Sequence, residues 1–149
     1  MAFERLGFLA AAGMALAGCT APVPMASPEA NAAGQSFQPP PPGQAALYIF
    51  REGRFNAAYL LTAWVGQRQL GQLGADTWFR IDAEPGAQSL RCTTSESSEL
   101  LQVQLAPGEI RYVEIAARLG WSVPRCAISE VSREQGQAAV RKGQRALPQ

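Results

Sequence analysis

The side chains that most often carry out acid–base chemistry are sparse in this sequence. It contains no histidine, which excludes histidine-based catalytic triads and histidine metal ligands. Asp82 and Glu84 lie two positions apart, where they could form a carboxylate pair or belong to a solvated turn. Ser95, Ser97 and Ser98 have no evident histidine or lysine partner that could activate them. The sequence therefore predicts a protein that is not an enzyme, without a metal site or a cofactor.

Three cysteines remain as candidates for chemistry, and the first ends the sequence Leu16-Ala17-Gly18-Cys19. This motif follows Arg5 and an apolar run over residues 6–16, which is shorter than the roughly 20 residues that a membrane span needs. The order resembles the lipobox of bacterial lipoproteins. The resemblance implies a signal peptide over residues 1–18 and a covalent lipid on Cys19, which would become the first mature residue. The alternative is an ordinary secretory signal with a chance cysteine.

Cys92 and Cys126 form a possible pair once Cys19 is assigned to the lipid. Export would place both cysteines in a compartment where disulfides persist. Their separation in the sequence fits neither a redox motif of two closely spaced cysteines nor a zinc site. We therefore predict a disulfide between them, with two free buried thiols as the alternative.

Composition limits the size and the partners of the mature chain. The residues after the predicted signal suit one domain. The net charge of +1 shows no excess of positive charge that would indicate binding to nucleic acid. Residues 19–44 are rich in Pro, Ala, Ser and Gln, with Glu29 as their only charge. Such a segment buries too little apolar surface to fold alone, so we predict a Pro-rich tether. Its four-proline run could instead dock a partner.

Residues 45–142 show the pattern of an all-β domain. Gly66-Gln67 suits a type II′ hairpin turn, and Pro85-Gly86 and Pro107-Gly108 are further turn signals. Ser132 and Gln135 form a capping-box pattern at the start of a short C-terminal helix, and residues 143–149 are a tail. The fold class is thus predicted as a small antiparallel β-sandwich or barrel. Strands are predicted over residues 47–50, 60–65, 68–73, 78–81, 88–93, 101–105, 110–116 and 123–131.

The order of these features resembles the DUF2846 family, small bacterial domains of unknown function often found in lipoproteins. The similarity covers about residues 45–140 and is carried by residues 47–51, 65–71, Pro85-Gly86, Pro107-Gly108 and Tyr112-Val113. It implies a sandwich similar to transthyretin-like or PEGA-like domains and transfers no catalytic residue. Such domains often carry a histidine after the Pro-Gly turn, where this chain has Gln88, so a histidine-dependent role is doubtful here.

Aromatic and arginine side chains are the better candidates for binding. Trp121 follows Gly120 in a predicted loop, with Arg118 or Arg125 as a candidate neighbour, and the loop near Arg51 is a further candidate for binding. An exposed tryptophan beside an arginine could stack on a sugar ring or a peptide side chain. Alternatively, Trp121 could plug the open end of the sandwich.

Together these observations predict a location and a class of function. We expect a lipid-anchored protein of the bacterial cell envelope, in the outer membrane and facing the periplasm. Its β domain would be a non-catalytic interaction domain for an envelope protein or a cell-wall component. A periplasmic inhibitor or a module that binds a small ligand or carbohydrate is the alternative.

Overall fold

The computed structural model describes residues 23–149. The predicted signal peptide and Cys19 lie outside these residues. Within them the chain forms two α-helices and nine β-strands in the order α1 (Pro28–Gln35), β1 (Ala45–Arg51), β2 (Leu61–Val65), β3 (Arg68–Leu73), β4 (Thr77–Ala83), β5 (Gly86–Thr93), β6 (Ser98–Leu105), β7 (Ile110–Arg118), β8 (Arg125–Val131), α2 (Arg133–Lys142) and β9 (Gln144–Arg145).

The strands form two sheets, with orders β8-β7-β1-β4-β9 and β3-β2-β5-β6. The predicted β-sandwich with a short C-terminal helix is confirmed, and all eight predicted strands are present. Neighbouring strands are antiparallel except in two pairs, β1–β7 and β4–β9, which are parallel. The two-residue strand β9 lies in the predicted tail.

The sandwich has a core on each face of the five-stranded sheet. All seven residues of β1 are buried, because the strand lies in the middle of its sheet and alternate side chains point to opposite faces. Leu47 and Ile49 join the core between the sheets. Tyr48 and Phe50 join a second core on the outer face. Burial of each large apolar side chain stabilises the fold by about 1.5–3 kcal/mol.

The segment predicted to be a flexible tether is folded from residue 23 onward, so that part of the prediction is wrong. Helix α1 begins at the Ser27 cap, whose hydroxyl accepts the amide N–H of Ala30 at 3.2 Å. Tyr48 donates its hydroxyl proton to the carbonyl of Gly34 at 2.7 Å. The Phe37 ring lies 5.5 Å from that of Tyr48. Contacts with distant residues thus order a segment whose own composition is weakly apolar.

The last residues of the chain also pack rather than forming a free tail. Ala146 is buried and forms an isolated bridge with Met25, and Gln149 donates its amide N–H to the carbonyl of Leu70 at 2.9 Å. The two ends of the described chain therefore complete one edge of the sandwich together.

Helix α2 begins at the predicted capping box and covers the second core. Ser132 and Gln135 form the full capping box. Gly136, which lowers helix propensity by about 1 kcal/mol relative to alanine, is required by packing, since a methyl group there would overlap the ring of Tyr112. Along residues 23–149, no helix is both long enough and apolar enough to cross a membrane.

Candidate functional site

One end of the sandwich gathers three loops, two of which expose apolar side chains. Strands β1 and β7 run parallel and finish at this end, where β8 begins beside Arg118. The loop between β5 and β6 lies there as well, because Thr93 pairs with Thr62 near the start of β2. We call this end, formed by residues 52–60, 94–97 and 119–124, the Trp121 end.

The Trp121 end exposes four large apolar side chains to solvent. The exposed fraction of Trp121 is 98%, that of Leu119 is 82%, and those of Phe55 and Tyr59 are 55% and 44%. Trp121 therefore does not plug the open end of the sandwich, and the alternative that it packs in the core is wrong. Apolar side chains grouped at one place on a surface mark a binding site more often than scattered ones do.

A carboxylate fixes the backbone that presents Trp121. Glu96 accepts the amide N–H groups of Trp121 at 2.8 Å, Ser122 at 2.7 Å and Val123 at 3.1 Å, together with the Ser122 hydroxyl at 2.7 Å. The Ser122 hydroxyl and then the backbone N–H groups lower the pKa of Glu96 to about 2. Hydrogen bonds to a carboxylate favour its charged form. The 119–124 loop is thus anchored at its apex.

Glu96 was missed at the sequence level. Its neighbours from Thr94 to Glu99 are polar and give no sign of a structural role, and its partners lie 25 to 27 residues further along the chain. Its role in fixing the 119–124 loop is apparent only in the fold, where the β5–β6 and β7–β8 loops lie next to each other.

A buried cation fixes the other exposed loop. Arg51 is 2% exposed, and its guanidinium donates to the carbonyls of Tyr59 at 2.6 Å, Phe55 at 2.9 Å and Asn56 at 3.0 Å. Burial lowers the pKa of Arg51. Its guanidinium holds the loop that exposes Phe55 and Tyr59. A role of Arg51 in binding stays a prediction, since the residue also lines a cavity at this end.

The other two predicted arginines do lie at the Trp121 end. Arg118 and Arg125 are both exposed and face each other across the β7–β8 pairing. A cavity of about 490 Å³ lies between the two fixed loops. It is lined by Arg51, Glu52, Phe55, Glu114, Ala116, Ala117, Arg118 and Leu119.

The structure also brings Cys92 and Cys126 together. Cys92 lies in β5 and Cys126 in β8, so they belong to opposite sheets, and both are buried thiols. Both side chains belong to the same buried cluster between the sheets. The disulfide stays a prediction that this arrangement permits.

The remaining candidates for chemistry do not form a site. Asp82 forms an ion pair with Arg80 at 3.5 Å, and it lies at the end of β4 opposite the Trp121 end. Ser97, for which the sequence offers no activating partner, accepts the amide N–H of Cys126 at 2.8 Å. Among residues 23–149, no group of three or more cysteine, aspartate or glutamate side chains could hold a metal ion.

No family model matches the chain, so the resemblance to DUF2846 stays a prediction. The chain is similar to an uncharacterized protein of Haemophilus influenzae (strain ATCC 51907 / DSM 11121 / KW20 / Rd), with 25% identity over 140 residues. That similarity covers 94% of this chain and 82% of the Haemophilus protein.

Proposed function

We propose that the chain is a lipid-anchored protein of the bacterial envelope whose β-sandwich binds another macromolecule through the Trp121 end, without catalysis. The observation that carries this proposal is the 98% exposed Trp121 on a loop whose apex makes four hydrogen bonds to Glu96. An aromatic side chain presented in this way is typical of the residues that dominate binding energy.

The two loops that expose apolar side chains support binding because both are held in place before a partner arrives. Ordering a mobile loop costs free energy on association, and a preorganised loop avoids much of that cost. Glu96 holds the 119–124 loop through N–H groups, whereas Arg51 holds the 52–60 loop through carbonyls. Covering Trp121, Leu119 and Phe55 would each gain up to about 1.5–3 kcal/mol.

The position of residue 23 suggests how an anchored domain would be oriented. Residues 24–26 run antiparallel to Arg145–Leu147, so the chain traced back to Val23 leads away from the Trp121 end. Four peptide units between Cys19 and Val23 span at most about 14 Å. A lipid on Cys19 would thus hold the domain close to the membrane with the Trp121 end facing the periplasm. A periplasmic protein or a cell-wall component fits that orientation.

Site-specific photocrosslinking in intact cells tests the binding surface. A photoreactive amino acid at position 121 should form an adduct, while the same group at position 100 serves as the matched control. Leu100 is also exposed, at 62%, but it lies on β6 outside the Trp121 end. An adduct sensitive to muramidase identifies the cell wall, and one sensitive to protease identifies a protein. Equal labelling from both positions, or none from position 121, would refute the proposed surface.

The anchor is tested separately. Cys19→Ala should release the protein from the membrane fraction, because the variant lacks the thiol that would carry the lipid. Tight association of this variant with membranes would contradict the lipobox interpretation and leave the crosslinking result unaffected.

The cavity beside Leu119 favours a second candidate, a module for a small ligand or carbohydrate. Its volume of about 490 Å³ lies within the range of about 300–1,000 Å³ that is usual for ligand sites. An apolar anionic dye such as anilinonaphthalene sulfonate should then bind, and Ala116→Phe should abolish binding by filling the cavity. Trp121→Ala, outside the cavity lining, is the control that should retain the dye. Dye binding that is unaffected by Ala116→Phe would refute this candidate.

A further inference from the structure

The contact between Cys92 and Cys126 joins the two sheets directly beneath the Trp121 end. Cys92 is the penultimate residue of β5, and Cys126 is the second residue of β8. Both side chains belong to the core between the sheets, where β5 and β8 pack against each other. This is a cross-sheet pair at the points where two loops of the Trp121 end leave the sandwich.

The same pair contacts the residues that hold Trp121. Ser97 accepts the amide N–H of Cys126 at 2.8 Å and lies 3.7 Å from its sulfur. Ser97 adjoins Glu96, which binds the apex of the 119–124 loop. The position of β8 relative to the β5–β6 loop therefore determines whether Glu96 can reach its N–H partners.

We propose that Cys92 and Cys126 form a disulfide that links the two sheets and thereby keeps the 119–124 loop bound to Glu96. The bond fixes β8 against β5 at the base of the loop. Its loss leaves the loop held by hydrogen bonds alone, so the loop opens more often. This inference concerns the stability of the Trp121 end and does not depend on the lipid anchor or on any partner.

The oxidant of the two cysteine thiols is a disulfide donor in the compartment to which the chain is exported. The Cys126 thiolate attacks one sulfur of the donor disulfide, which forms a mixed disulfide and releases one donor thiolate. The Cys92 sulfur then loses its proton and attacks the sulfur of Cys126, which releases the second donor thiolate. Two cysteine thiols are oxidised and the donor disulfide is reduced to two thiols.

Because both sulfurs are buried, this exchange takes place while the chain folds after export or when the loops open. A bond formed in this way constrains the unfolded chain between the two positions. Reduction should therefore lower the melting temperature by on the order of 10 °C.

Peptide mapping tests the bond on the full-length chain purified after export in a bacterium. Free thiols are alkylated in denaturant, and the protein is digested with trypsin. Cleavage after Arg91, Arg111, Arg125 and Arg133 separates residues 92–111 from residues 126–133. The two peptides should be found linked without reductant and alkylated only after reduction. Cys19 lies in neither peptide, so its lipidation does not affect the result. Two alkylated peptides without reductant would overturn the proposal.

Hydrogen exchange tests the link to the loop. Reductant should accelerate exchange of the residue 121–123 amides at least tenfold in the wild-type protein. The double variant Cys92→Ala/Cys126→Ala should exchange quickly with or without reductant, and Cys19→Ala, the matched cysteine control, should respond as wild type does. A linked pair of peptides with a loop insensitive to reductant would refute the coupling between the disulfide and the Glu96 contacts.

Discussion

Replacing Arg51 by methionine should destabilise the domain, although the substitution keeps an unbranched apolar stem. The guanidinium donates to the carbonyls of Phe55, Asn56 and Tyr59 at 2.6–3.0 Å and to that of Leu73 at 3.4 Å. All of these hydrogen bonds would be lost. The 52–60 loop would then lose the group that organises its backbone.

The expected size of the effect follows from these bonds. A hydrogen bond from a charged donor contributes about 1.5–3 kcal/mol, and the three shorter bonds would together exceed 4 kcal/mol on that scale. Two terms reduce this sum. The loop carbonyls are partly buried and would regain water, and the buried guanidinium bears a desolvation cost that lowers its pKa. We expect a net loss of about 3 kcal/mol, which is a large part of the roughly 5–15 kcal/mol that stabilises a typical domain.

Urea unfolding of the Arg51→Met variant measures this loss. Arg54→Met is the matched control, because Arg54 is an exposed arginine of the same loop and its loss should cost less than about 0.5 kcal/mol. Hydrogen exchange of the 52–60 loop should also rise in Arg51→Met and not in the control. A loss below about 1 kcal/mol, or equal losses in the two variants, would refute the structural role given to Arg51.

Three further predictions concern other parts of the fold. Trp121→Ala should change the free energy of unfolding by less than about 0.5 kcal/mol. Trp78→Ala, which removes a ring from the outer core, should instead cost about 3–5 kcal/mol. Similar losses for the two variants in urea unfolding would contradict the exposure of Trp121. Gly136→Ala should lower the melting temperature and cost about 1–3 kcal/mol of stability, because the added methyl group would overlap Tyr112. This loss is expected despite the better helix propensity of alanine, and a gain in stability would exclude the overlap. Glu96 has its pKa lowered from 4.5 to about 2, so its contribution to stability is present above pH 4.5 and is lost as the pH falls to about 2. The loop amide resonances should titrate near pH 2 and should not titrate in Glu96→Gln, and a midpoint near pH 4.5 would contradict these hydrogen bonds.

The strands and α2 could be predicted because local signals determine them. Gly66 has a positive φ of 58° in the β2–β3 turn, as its place in the hairpin pattern required. Val103 and Leu105 alternate with polar residues and are buried. The capping box of α2 lies within four consecutive residues. Each of these features depends on neighbours in the sequence, so the sequence pattern predicts it without knowledge of the fold.

The folding of residues 23–44 could not be predicted in this way, because its determinants are distant. The Gln35 side chain donates to the carbonyls of Val140 and Gly143 at the end of α2, more than 100 residues away. Gly34 fits only because it carries no side chain, since a Cβ there would overlap the ring of Trp78. In the sequence, both residues belong to a polar segment that resembles a spacer. Composition measures what a segment can bury by itself and does not measure the surface offered by the rest of the chain.

The Trp121 end shows the same limit and explains why its exposed side chains do not collapse. A flexible loop that carried Trp121 and Leu119 would fold back to bury them, because each ring or branched chain gains free energy when it leaves water. Glu96 opposes that movement, since turning the loop inward would separate its carboxylate from three N–H groups and a hydroxyl. Arg51 opposes the equivalent movement of Phe55 through the carbonyls of the 52–60 loop. The charged side chains that hold the loops are thus the physical reason that the apolar side chains remain available at the surface, and binding at this end should depend on Glu96 and Arg51 even though neither needs to contact a partner.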